Sequence, residues 1–487
     1  MIRSAAGPPA RVAALVAVVL LDATWLATGP TIRGAWAWLP LIAAVGAHTG
    51  LVVAERRRPA LDPRVVVAAT AGSVLVAVVL APWGSKDVFQ YAVYGHMASV
   101  HRLNPYVHRP FELGGDPLLR STAPGWRRAR TVYGPMFTAA SAVAARGFGH
   151  SARLGALFFQ ALNGIALVGA VAFLARRRAG SDALVFVGLA PVLLAVVNGG
   201  HNDLLVGLAV LVALAFVADR RPLAAGLCLA AAALVKLLVL PAVAGVVVAL
   251  LLARRGAEVK RLVAGFAAPL VAGYVAVGGL RALAPVRGGA RVLTRSSLWT
   301  GVRDVLVNLS ADRSDALARF APARLGTLAV AVTVVLSLVL FVRAGRRAEP
   351  AALAVGGLVV LLLAGPYVLP WYSAAALPAA ARLGDRLRWL VHAQAVLVLA
   401  VYIAPPGAGA GSVPFDRAVS AAGPWLVLVL LVAVMAWWSP GRVGRDGVSA
   451  CSPCPCGSDG VGGGPGRHRA RRRPGSVDPG RHPRDPP

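Results

Sequence analysis

Long apolar runs alternate with short polar connections along nearly the whole chain. About fourteen runs are near the length of a bilayer-spanning helix. They lie at 12–28, 36–54, 65–82, 154–175, 183–199, 203–218, 222–236, 237–253, 262–284, 326–343, 351–369, 371–384, 389–404 and 424–439. In lipid each backbone polar group must be bonded within its own segment, so the pattern predicts helices rather than strands. The expected fold class is all-α, a polytopic membrane protein with about 12–14 transmembrane helices, large external loops and juxtamembrane helices. The stretch 137–148 is apolar but short. A crossing there would reverse the charge of every later connection, so it is expected to lie in the membrane interface.

Composition fits this reading. Of 487 residues, 57% are hydrophobic and 14% charged, too few charges to cover a soluble protein of this size. The net charge of +30 could suggest nucleic acid. The basic residues instead sit in short clusters between apolar runs: Arg56–Arg58, Arg176–Arg178, Arg220-Arg221, Arg254-Arg255 with Lys260-Arg261, Arg343 with Arg346-Arg347, and Arg382 with Arg386 and Arg388. The positive-inside bias makes these connections cytoplasmic and both termini cytoplasmic. The connections 199–202, 365–372 and 405–423, and the long loops 83–134 and 285–325, then face outward.

Three parts are expected: an N-terminal hairpin over 1–64, a catalytic membrane domain over 65–440, and a disordered basic tail over 441–487. The tail's Cys451, Cys454 and Cys456 have weak zinc-like spacing without a folded context, and the four cysteines form no disulfide framework.

Ionisable groups at the outer ends of these helices carry the chemistry. They are Lys86-Asp87, His201-Asn202-Asp203 and Lys236. Charges at membrane depth are costly and usually have a partner or a task. Two carboxylates and a cation on one face suit a lipid-borne phosphate substrate: the cation offsets phosphate charge and a carboxylate takes a proton from a hydroxyl. Each group also has a plainer reading. Asp87 can cap a helix and pair with Lys86 in solvent, His201 to Asp203 can be turn and cap residues, and Lys236 can snorkel. Aromatic and turn residues crowd the same face: Tyr91, Tyr94, Asn104, Tyr106, Trp126, Tyr133, Trp371 and Tyr372. They read as a sugar-binding platform or as an interfacial belt.

The ordered series Asp87-Val88-Phe89-Gln90-Tyr91 with Gly95, Asn104-Pro105-Tyr106, Tyr133-Gly134-Pro135, His201-Asn202-Asp203, Lys236 and Pro370-Trp371-Tyr372 resembles the polyprenol-phosphate-mannose-dependent α-(1→6)-mannosyltransferases of actinobacteria. These are integral membrane glycosyltransferases of the GT-C type, and the resemblance covers about residues 65–440. It implies catalytic acids at Asp87 and Asp203 and a phosphate-facing Lys236. It also implies a polyprenyl phosphomannose donor and a mannan or lipoglycan acceptor. Lys86, Tyr91, Tyr94, Asn104, Tyr106, Tyr133, His201, Asn202, Trp371 and Tyr372 are the expected substrate-binding residues. The expected reaction is inverting transfer at the external face of the plasma membrane, with no nucleotide or redox cofactor. No Asp-x-Asp pair stands near Asp87, so an essential metal is not expected. Two alternatives stay open: another polyprenyl phosphosugar, such as arabinose, or a transporter or lipid-linked sugar flippase. The chain shows no internal repeat of the kind many transporters have.

Overall fold

A computed structural model describes residues 8–29, 38–289, 292–309, 315–345, 349–403 and 414–438. Helices α1 (Pro8–Thr28), α2 (Trp38–Arg57) and α3 (Pro63–Val79) open the chain. Helices α4 (Asp87–Ser99), α5 (Pro124–Arg127) and α6 (Pro135–Phe148) fill the first long connection. Then come α7 (Ala152–Arg176), α8 (Ser181–Gly188), α9 (Pro191–Asn198), α10 (Asp203–Ala218), α11 (Pro222–Val235), α12 (Leu240–Leu252) and α13 (Gly256–Ala276). The second long connection holds α14 (Ala284–Gly289) and α15 (Leu298–Leu309). Helices α16 (Asp315–Ala344), α17 (Pro350–Ala364), α18 (Leu377–Ala380), α19 (Asp385–Ile403) and α20 (Pro414–Trp437) complete it. No strand occurs among the described residues.

Among the described residues, eight helical segments are long and apolar enough to cross a membrane, and five shorter apolar helices accompany them. Large apolar side chains such as Leu75, Val143, Ile165, Val342 and Val429 are more than half exposed. Such a surface is unfavourable in water and matched by lipid. The protein is a polytopic all-helical membrane protein.

Prolines punctuate the chain where a helix must start. Pro63, Pro135, Pro191, Pro222 and Pro350 stand at first helical positions, where a missing amide costs nothing. Helix α3 is also capped by the Asp62 carboxylate, which accepts from the Arg64 amide at 2.7 Å. Pro191 breaks one apolar run into α8 and α9, which form the most buried span in the bundle.

The arginine-rich connections meet at one end of the bundle. Arg56 pairs with Asp182 and Asp385, at 3.7 and 3.2 Å. Arg388 pairs with Asp182 at 2.5 Å, Arg11 lies 3.6 Å from Glu55, and Arg177 pairs with Asp219. The α1–α2 hairpin is held there too, because Ser181 donates to Glu55 at 2.6 Å.

Two expectations change. The run 371–384 is not a continuous helix. Pro370–Ala375 is a 3-10 turn, α18 lasts one turn, and the chain between Trp371 and Asp385 still passes from the His201 end to the Arg388 end. Pro370 and Pro378 each remove an amide donor, which apolar composition alone conceals. Helix α16 starts at Asp315, and its membrane-length part is Arg324–Ala344. Helix α20 starts at Pro414, so the connection expected over 405–423 is shorter. The stretch 137–148 forms α6, which packs on α4, α7 and α11. Arg346, Arg347 and the tail from 441, with its cysteines, lie outside the described residues.

Candidate active site

The site forms where several helix ends meet, opposite the arginine end. Asp87 is the first residue of α4, with Lys86 before it. The α9–α10 hairpin turns through Gly199 and Gly200. Gly200 has φ +64°, a left-handed conformation natural to glycine, and a Cβ there would meet Val88 Cγ2 at 2.7 Å. The hairpin thus lies directly on α4 and delivers His201, Asn202 and Asp203. Lys236 sits just beyond α11 in extended backbone, so the chain breaks before the next turn begins. The 3-10 turn Pro370–Ala375 supplies Trp371 and Tyr372.

Asp203 and Lys236, 33 residues apart, form a buried ion pair. The Lys236 ammonium donates to both carboxylate oxygens, at 2.8 and 2.9 Å. It also lies 4.1 Å from the centre of the Tyr372 ring. Desolvating two charges is expensive, and this bidentate geometry with a cation–π contact offsets the cost. Lys236 therefore does not snorkel to the interface.

Asp87 is a different kind of acid. It is 7% exposed, and its nearest basic partner is His201, whose Nδ1 lies 3.8 Å from Oδ2. That is beyond a direct hydrogen bond. Burial pushes the Asp87 carboxyl up to about 6, against the opposing pull of the Lys236 charge and of Ser85. The solvent pairing of Asp87 with Lys86 does not occur: Lys86 is exposed and Asp87 is buried.

His201 stacks on Trp371 with ring centroids 3.8 Å apart and planes 9° from parallel. Burial, and then the Lys236 charge, drive the His201 imidazole well below its usual range, so it is neutral. His201 Nδ1 and both polar atoms of the Asn202 amide are buried without a hydrogen-bond partner among the described residues. Buried polar atoms in a native site normally have partners, so these are places for a ligand or ordered water.

The aromatic residues divide. Tyr91 packs edge-on against Tyr133, Phe137 and Phe159, with centroids 4.7, 5.0 and 5.3 Å away, and forms the floor beneath the acids. Tyr94, Asn104 and Tyr106 hold the loop instead of facing the acids. The Tyr94 hydroxyl donates to the Ala129 carbonyl at 2.9 Å, and the Asn104 amide donates to Val277 at 3.0 Å. The Tyr106 hydroxyl donates to the Tyr133 carbonyl at 2.8 Å.

Several supporting residues carried no sequence signal as site residues. Gln160 and Asn198 donate to carbonyls at the end of α3, with Gln160 3.0 Å and Asn198 3.5 Å from Leu80 O. Asn198 also accepts from the Trp83 amide at 3.2 Å. These bonds satisfy the open carbonyls of a helix end and fix the strand of chain that leads into Asp87. Tyr402 donates to the Gly84 carbonyl at 2.8 Å. A polar residue inside an apolar run was the available clue for Gln160; Tyr402 offered none.

A narrow cleft of about 40 Å³ opens beside the cluster. Its lining includes Trp83, Ser85, His201, Trp371 and Tyr402, with Val192, Val196, Leu399 and Ile403 as apolar members. Asp87, Asp203 and Lys236 do not line it directly; His201 and Trp371 connect it to them.

No curated protein and no solved structure matches the chain. A family model described as alpha-(1->6)-mannopyranosyltransferase, N-terminal domain, matches residues 4–254, the stretch that carries Asp87, His201, Asp203 and Lys236. With more than half its length matched, the chain belongs to the alpha-(1->6)-mannopyranosyltransferase family and is a glycosyltransferase embedded in a membrane by its helices.

Proposed function

We propose that this enzyme moves mannose from a polyprenyl phosphomannose to a hydroxyl of a lipid-linked mannan or lipoglycan acceptor, forming an α-(1→6) bond with inversion. The supporting observation is the separation of two buried acids: Asp203 is neutralised by Lys236, while Asp87 has no Lys or Arg partner. Asp87 then acts as general base. It takes the proton of the acceptor hydroxyl as that oxygen attacks the anomeric carbon. The carbon–oxygen bond to phosphate breaks, and polyprenyl phosphate leaves with the electron pair. A carboxyl raised to about 6 is a better base than an ordinary carboxylate, and it is largely ionised at neutral pH.

Lys236 offers its ammonium as follows. Two of its three N–H donors go to Asp203, and the third remains for a donor phosphate oxygen. Neutral His201 and the Asn202 amide supply hydrogen bonds to sugar hydroxyls, and Trp371 holds the imidazole in place. The positive-inside bias supports a cytoplasmic basic end, and on that reading the acids work at the external face of the plasma membrane with both termini inside.

The test is an assay of the purified protein in lipid with radiolabelled polyprenyl phosphomannose and, in parallel, polyprenyl phosphoarabinose, followed by linkage analysis of the product. Transfer of mannose into an α-(1→6) product supports the proposal. Preference for arabinose, or movement of the intact lipid between leaflets without transfer, overturns it.

A further inference from the structure

About nine residues beyond Asp87 along α4, a second polar cluster forms away from the acids. His96 Nδ1 lies 2.7 Å from Asp116 Oδ2, and His101 Nε2 lies 3.0 Å from the same oxygen. His150 Nδ1 lies 3.7 Å from Asp116 Oδ1. The donor atoms of His96, Asp116 and His150 all lie within 4.8 Å of one another. His96 and Asp116 are buried, while His150 is 59% exposed in its side chain. The cluster joins three parts of the chain: the last turn of α4, the loop before the 3-10 turn Pro117–Ser121, and the junction of α6 and α7. Gly149, with φ +53°, makes the sharp exit from α6 that sets His150 over Asp116.

We propose that His96, Asp116 and His150 bind one zinc-class divalent ion that staples the external loop to α4 and to the α6–α7 junction. Imidazole nitrogen and carboxylate oxygen are the ligands such an ion takes, at about 2.0–2.2 Å. Donors around one tetrahedral ion then lie about 3.4 Å apart. Small side-chain rotations from the present spacings reach that arrangement. His101, bonded to the same Asp116 oxygen as His96, stays as an outer partner that orients the carboxylate. A fourth position opens beside exposed His150, which also gives the ion a path in. Nine residues of helix put the site about 13 Å along the axis from Asp87, so the ion holds structure and takes no part in the transfer step.

The test uses the full chain with Cys451, Cys454 and Cys456 replaced by serine, so the tail thiols contribute no metal binding. The protein is stripped with a chelator, given zinc, desalted and analysed for metal content and thermal midpoint. The expected result is about one zinc per chain and a higher midpoint with zinc than without. His150→Gln, an exposed change, should cut retained zinc at least tenfold without moving the zinc-free midpoint. His150→Cys, which restores a ligand, should retain it. No zinc above background in the serine form, or equal zinc in His150→Gln, overturns the proposal.

Discussion

The imidazole of His201 lies flat on the indole of Trp371, 3.8 Å between ring centres, while its Nδ1 faces the Asp87 carboxylate at 3.8 Å. One residue of the α9–α10 hairpin is thereby clamped by a turn 170 residues later and aimed at the acid of α4. The aromatic contact fixes the rotamer, and the gap to Asp87 is wide enough for a bridging hydroxyl or water.

Trp371→Ala should free the His201 ring. An aromatic pair is worth about 0.5–1.5 kcal/mol, so transfer should fall about 2- to 12-fold, with the loss mainly in kcat/KM. Trp371→Phe should keep most of the activity. Steady-state kinetics of the two variants check this, and equal activities would remove the clamp from the account.

Asp87→Asn removes the base while keeping volume. Transfer should drop by about 10²–10⁴-fold, the usual contribution of a general base. Insertion into membranes and the thermal midpoint should stay as in the parent. Normal turnover by this variant would exclude Asp87 from the proposed mechanism.

The pH profile follows from the same group. Asp87 must be ionised to accept a proton, and its carboxyl sits at about 6 in the folded protein. Above that pH the active form dominates and kcat/KM should plateau. Below it the rate should fall about tenfold per pH unit, with the midpoint near 6 instead of the ordinary carboxylate value near 4. A profile flat down to pH 4.5 would contradict this assignment.

Breaking the Lys236–Asp203 pair from one side leaves a bare buried charge. Lys236→Met alone should destabilise the protein by about 3–5 kcal/mol. Combining it with Asp203→Leu should recover much of that stability without recovering transfer, because the ammonium is still missing. Thermal unfolding in detergent alongside a transfer assay separates the two effects.

Gly200→Ala tests the hairpin. The added methyl group would enter a left-handed backbone and meet Val88 at 2.7 Å. A cost of about 1–3 kcal/mol is expected, with a drop in transfer as His201 shifts away from Asp87. A variant with the parent's thermal midpoint and rate would show that the hairpin has more freedom than its packing implies.

The class of the protein is legible along the chain alone, and so is the clustering of its arginines at alternate connections. Apolar runs of membrane length, with arginines in every second short connection, are local features and need no knowledge of packing. The same local signals put Asp87, His201, Asp203 and Lys236 at one end of the bundle, and they do meet there. Tertiary structure decided how these groups divide the work. Asp203 takes Lys236, Asp87 is left without a lysine or arginine, and His201 takes Trp371. Such pairings depend on how helices far apart in the chain rotate and cross, which hydropathy does not encode. For the same reason Tyr94 and Tyr106 proved to brace a loop, and the apolar run after Pro370 broke into two short turns. Its composition suited a helix, but two prolines and close packing against neighbours favoured another path.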